Sequence, residues 1–145
     1  MIALGADHAG FEVKEKIKSL LNSMGLEFKD FGTNSVESTD YPDYAHKVAE
    51  AVSSGKAERA ILVCGTGIGM SIVANKHNGV RAAVVESVNA AKLAREHNDA
   101  NVLALGARIT PWEQALEIIK TFLSTKFEAG RHQRRVEKIH TLTNL

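Results

Sequence analysis

The sequence predicts an α/β fold: a three-layer α/β/α sandwich on a five-stranded parallel sheet, Rossmann-like in plan. Three observations carry that expectation. Short runs with the patterns of strands alternate five times with segments of helical period. The connections between successive runs suit right-handed parallel crossovers. One run, Ala60-Ile-Leu-Val-Cys64, passes straight into Gly65-Thr-Gly-Ile-Gly69 and then a helical pattern. A strand, tight loop and helix start in that order aim backbone N–H groups at an anion.

In chain order, Ile2 to Gly5 reads as the first strand and Ala6 to Gly10 as a loop. Phe11, Val13, Ile17, Leu20, Leu21 and Met24 then form an apolar stripe among charged residues, so a helix follows, with Gly25 as its stop. Leu26 to Phe31 alternates apolar and polar as a second strand. A polar loop from Gly32 to Asp40 leads to Tyr41-Pro42 and a helix over Asp43 to Ser53, stopping near Gly55. The third strand is Ala60 to Val63 or Cys64, and its helix runs to about Lys76. Val80 to Val85 is apolar apart from Arg81, which marks a fourth strand suited to the sheet interior. Asn89 to His97 is the fourth helix and Val102 to Leu105 the fifth strand. Thr110-Pro-Trp-Glu113 opens a helix to Ser124 with a cap and a first-turn proline. After Gly130, Arg131 to about His140 is a short basic helix.

The 145 residues suit a single domain, 1–145, that includes this last helix. Lys and Arg number 18 against 17 Asp and Glu, which gives no support to a nucleic-acid or membrane partner. One cysteine forms no intrachain disulfide and fits a reducing compartment. Met1-Ile-Ala-Leu-Gly lacks the pattern of a signal peptide, and no apolar run approaches a membrane span, so a cytoplasmic protein is expected.

Chemistry concentrates at Cys64. A thiol at the C-terminal tip of a strand, beside a helix N-terminus, can ionise near neutrality because the helix dipole favours thiolate. Familiar phosphate loops do not account for this stretch. Gly65, Gly67 and Gly69 are spaced G-x-G-x-G, unlike the dinucleotide fingerprint, and no Gly-Lys-Ser/Thr follows. Met70 stands where a phosphatase loop would need arginine, and no second cysteine is available for redox work. The residues alone leave a second reading open, in which Cys64 is a small buried hydrophobe and the glycines only permit close packing.

If the first and third strands are neighbours with their helices on opposite faces, their ends flank a crevice. Asp7 and His8 then face the Cys64 loop; the plainer alternative is a turn residue and a surface polar group. Arg131 and Arg135 lie one helical turn apart and can converge on one phosphate, or form a solvated basic face with Arg134 and Lys138. His97 closes the fourth helix, where a histidine also simply complements the helix C-terminus. His132 could join the site, whereas His46, His77 and His140 read as surface residues. No cluster has convincing metal-ligand spacing, and no cofactor is expected.

Gly5-Ala-Asp-His-Ala-Gly-Phe11, Asp40-Tyr-Pro-Asp-Tyr-Ala45, Cys64-Gly-Thr-Gly-Ile-Gly-Met-Ser71, Ala74-Asn-Lys76, Arg95-Glu-His-Asn-Asp99 and Gly130-Arg-His-Gln-Arg-Arg-Val136 stand in order along the chain. Together they resemble the type B ribose-5-phosphate isomerases, a family that also holds galactose-6-phosphate and allose-6-phosphate isomerases. The resemblance implies a metal-free aldose–ketose interconversion through a cis-enediolate, in a homodimer with active sites at the subunit interface. It implies Cys64 as the base that moves the proton between C1 and C2, His97 in ring opening, and Thr66 assisting there or at the enediolate oxygens. It implies substrate-binding roles for Asp7, His8, Gly65, Thr66, Gly67, Ile68, Gly69, Asn98, Arg108, Arg131 and Arg135. A subgroup carries a glutamate after the glycine loop in place of the cysteine; Met70 and Cys64 make this chain look like the cysteine subgroup.

The leading expectation is therefore interconversion of ribose 5-phosphate and ribulose 5-phosphate. A six-carbon phosphate isomerase with the same machinery is the nearest alternative. A phosphate-ligand binding module that lost catalysis is the more distant one; the joint presence of Cys64, Thr66 and His97 speaks for the enzyme.

Overall fold

The computed structural model describes residues 1–145. In chain order it contains β1 (Ile2–Ala6), α1 (Phe11–Ser23), β2 (Phe28–Asp30), α2 (Tyr41–Ser53), β3 (Arg59–Cys64) and α3 (Ile68–Ala74). There follow β4 (Ala82–Val84), α4 (Val88–Glu96), β5 (Val102–Gly106), α5 (Trp112–Ser124) and α6 (Arg131–Thr143). The strands form one parallel sheet in the order β2-β1-β3-β5-β4.

Period-two alternation sorts the buried strands onto two faces. Leu4, Ala6, Ile61, Val63, Leu103 and Leu105 pack against Ile17 and Leu21 of α1, Ala91 of α4, and Ile118 and Phe122 of α5. Ala3, Ala60, Leu62 and Ala104 pack the other way, onto Ala45, Val48 and Ala49 of α2 and Met70 and Ala74 of α3. Adjacent β1 and β3 thus send α1 and α3 to opposite faces, so their C-terminal ends mark a topological switch point.

β4 departs from its interior expectation: it lies at the sheet edge, is only three residues long, and has Val84 exposed. The apolar reading came from Val80 and Val85, which are buried but lie just outside the strand. The carboxamide of Asn75 stands where a neighbouring strand would be, accepting from the Ala82 N–H (2.7 Å) and donating to its carbonyl (3.0 Å). Such side-chain cover blunts an open edge.

Other boundaries shift for local reasons. β2 is cut to Phe28–Asp30, because only these residues pair with β1. The helix expected from Asp43 begins at Tyr41, with Pro42 in its first turn. Thr110 does not cap α5; Pro111 occupies the cap position and the helix starts at Trp112. α3 ends at Ala74, short of Lys76, and α6 continues past His140 to Thr143.

Candidate active site

β3 ends at Cys64, beside Gly106, the last residue of β5. Beyond that pair the two loops stay zipped: Ala107 N–H donates to the Cys64 carbonyl (2.8 Å) and Arg108 N–H to that of Gly65 (3.0 Å). Contact this close excludes a side chain at Gly106, where a Cβ would meet the Thr66 backbone at 2.8 Å; one on Gly65 would crowd only the movable Arg108 guanidinium, at 3.1 Å. Gly67 has φ +80° against the Leu105 backbone, a conformation that suits glycine. Its N–H donates to the Cys64 sulfur at 3.1 Å. The thiol is 5% exposed, so the glycines bring a backbone donor to a nearly dry sulfur.

The loop's other amides are divided. Ile68 N–H donates to the Thr66 hydroxyl at 3.2 Å. Gly69 and Met70 follow in the first turn of α3, where N–H groups lack intrahelical acceptors. N–H groups so placed can receive an anion. The sequence pattern did not single out Met70, which offers its backbone rather than its side chain. Gly69 lies under the Tyr41 ring, which a Cβ would strike; Tyr41 was also missed, since no local pattern joins it to the loop.

At the end of neighbouring β1, Asp7 is buried and one of its carboxylate oxygens accepts from the Ala9 and Gly10 amides (3.0 and 3.2 Å). That oxygen is a turn group, as the plainer reading expected. His8 accepts the Thr39 N–H on Nδ1 (3.1 Å). A neutral ring so held carries its proton on Nε2 and can donate to a substrate oxygen. Asp7, His8, the 64–69 loop and Arg108 thus gather at the C-terminal edge of the sheet.

His97, Asn98, Arg131 and Arg135 do not join them. His97 closes α4, which returns antiparallel to the sheet and feeds β5 at Val102. The Cys64–Gly106 pair lies at the far end of β5, about 13 Å along the strand direction. α6 stays near the end where His97 lies. His132 stacks on His97 with ring centroids 4.3 Å apart and planes 17° apart, His140 meets Arg81 at 2.9 Å, and Gly79 N–H donates to the Leu145 carbonyl at 2.7 Å. Arg131 and Arg135 are exposed on α6. The residues singled out in the sequence therefore fall into two groups, at opposite ends of the strands.

His132 is 7% exposed; burial, followed by His97 and Arg131, pushes its pKa below the ordinary imidazole value. With Glu128, the two histidines put potential metal-ligand atoms within 4.8 Å of one another. Nearly parallel planes aim the ring lone pairs side by side rather than at a common point, so this grouping does not form a coordination site as arranged. All three histidines read as surface groups have partners: His77 Nε2 meets His46 Nδ1 at 2.8 Å, and His140 meets Arg81.

A family model described as Ribose/Galactose Isomerase matches residues 2–139. Ribose-5-phosphate isomerase B of Escherichia coli K12 is 50% identical over 138 residues, 95% of this chain and 93% of that protein. The solved structure of the Clostridium thermocellum ribose-5-phosphate isomerase B superposes with a TM-score of 0.97 at 50% identity, over 99% of this chain and 97% of the other. The Mycoplasma genitalium ribose-5-phosphate isomerase B, solved with bound ribulose 5-phosphate, gives 0.95 at 40% identity, over 99% and 95%.

Proposed function

The chain belongs to the ribose/galactose isomerase family, and on that premise we propose that it interconverts ribose 5-phosphate and ribulose 5-phosphate in a homodimer. The observation that carries the dimer is the division of the site residues between opposite ends of the strands. A two-fold axis that sets the Cys64 end of one copy against the His97 end of the other completes two equivalent sites. Ile68 and Ile72, one turn apart on α3 beside the glycine loop, are 51% and 57% exposed in the single chain and suit cover by that second copy.

In each composite site, His97 of one copy exchanges protons with the ring oxygen and anomeric hydroxyl and opens the furanose. The Cys64 thiolate of the other copy takes the C2 proton, which leaves a cis-enediolate. Gly69 and Met70 amides and the Thr66 hydroxyl stabilise its oxygens. The thiol returns the proton to C1 while the hydroxyl proton moves from O2 to O1, so the exchange is neutral overall. Arg131 and Arg135 anchor the phosphate. Arg131→Ala and Arg135→Ala should each weaken binding of phosphorylated inhibitors by about tenfold or more, the scale of a lost charge-assisted hydrogen bond. Unchanged inhibitor affinity in both would return α6 to a solvated basic face.

The enediolate is served by backbone and hydroxyl donors, so turnover should survive exhaustive chelation. Loss of activity that a divalent ion restores would overturn this. The unpaired Cys64 fits a reducing cytoplasm. The deciding assay compares ribose 5-phosphate with galactose 6-phosphate and allose 6-phosphate. Preference for a six-carbon substrate would move the chain within its family, and no turnover of any would favour a binding module.

A further inference from the structure

The His97-Asn98 turn and the segment that leads into α6 are separate pieces of chain, yet the proposed reaction needs both on one sugar. Between them lies Arg95, a full-length cation only 2% exposed. Its Nη1 donates to the Asp99 carboxylate (2.9 Å) and the Ala100 carbonyl (2.6 Å), immediately after His97-Asn98. Its Nε donates to the carbonyl of Thr125, which ends α5 and begins the run to α6 (3.2 Å). Glu128 in that run donates its N–H back to the Glu96 carbonyl at 3.1 Å. The turn itself is strained: Asp99 has φ +46°, left-handed and uncommon outside glycine. Arg81 grips it from the other side, through the Asp99 carbonyl (3.0 Å) and carboxylate (3.2 Å).

A buried cation is a poor means of gaining stability, because an apolar side chain of similar volume often serves as well. What guanidinium adds is a planar fork whose donors stand at fixed angles to one another. Here the fork spans two segments, one carrying the ring-opening group and the other leading to the phosphate anchor. We propose that Arg95 is a positioning residue that sets the spacing between His97 and the α6 arginines, and thereby the length of sugar phosphate the half-site accepts. This rests on the isomerase reading above.

The clamp is tested by Arg95→Met, which keeps volume and removes every donor. α6 remains held through Arg81–His140 and Gly79–Leu145, so its arginines still bind phosphate. Affinity for inorganic phosphate should therefore stay within about threefold, while kcat/KM on ribose 5-phosphate falls about a hundredfold, the scale of an ångström's misplacement. Imidazole NMR supplies a readout independent of turnover. In the parent protein His132 titrates below the ordinary range, facing His97, Arg131, Glu128 and Arg135; in Arg95→Met its titration should move and the His97 signal shift with it. If Arg95→Met does not fold, Asp99→Gly removes the carboxylate that Arg95 and Arg81 hold while suiting the φ of +46°, and should give the same split. Turnover and phosphate affinity falling together, or histidine titrations identical to the parent in a folded variant, would overturn the clamp. Absence of ribose 5-phosphate turnover in the parent would instead overturn the isomerase reading, and the NMR comparison would still decide whether Arg95 couples the two segments.

Discussion

Cys64→Ala should isomerise ribose 5-phosphate at least about a hundredfold more slowly than the parent chain, the lower end of what a positioned proton-transfer group contributes. The expectation rests on position and on chemistry. The sulfur stands at the tip of β3, nearly enclosed, with the Gly67 N–H donating to it. It is also the one side chain of the 64–71 stretch able to serve as a base at neutral pH. Alanine removes only the sulfur atom and leaves the backbone geometry of Gly65 and Gly67 in place. The oxyanion donors and the phosphate anchor therefore remain, and calorimetry should still detect sugar phosphate binding. A variant that keeps even a tenth of parental turnover would remove Cys64 from the proton transfer.

Two inactive variants should restore each other. Cys64→Ala and His97→Asn are each expected to be nearly dead alone, since every composite site then lacks its base or its ring-opening group. When the two are mixed and allowed to exchange subunits at random, about a quarter of sites draw an intact Cys64 from one variant and an intact His97 from the other. Activity should rise toward a quarter of the parental value. A site built within one chain allows no such recovery, because every chain carries a lesion. A mixture that stays at the average of the two variants, with exchange verified by mass, would refute the shared site. The same experiment on Cys64→Ala with Arg131→Ala and Arg135→Ala combined asks whether the phosphate anchor also comes from the second copy.

Much of the fold is legible because local patterns report it. β1, β3 and β5 are buried on both faces, and their short apolar runs stand out against the helical stripes. The Cys64 loop is legible because the glycines are a direct trace of close backbone contact. β4 misled for the opposite reason. Its flanking valines are buried by contacts beyond the strand, and the residue that closes its edge, Asn75, belongs to the end of α3. Apolar composition reports burial, whichever neighbour supplies it.

Layer order, approximate element boundaries and the residue types available for proton transfer and phosphate binding are written in the chain's local patterns. Each is set by short-range sterics or by hydrophobic periodicity, which neighbouring residues encode. Where those residues stand in space follows from long-range packing. The parallel sheet puts Cys64 at the C-terminal end of its central strand, and the antiparallel return of α4 puts His97 near the N-terminal end of β5. His132 became part of the His97 end through a stack between residues 35 positions apart (132 − 97), and Arg95 became a clamp through a carbonyl 30 positions away. Such contacts form only when crossovers and packing bring distant segments together.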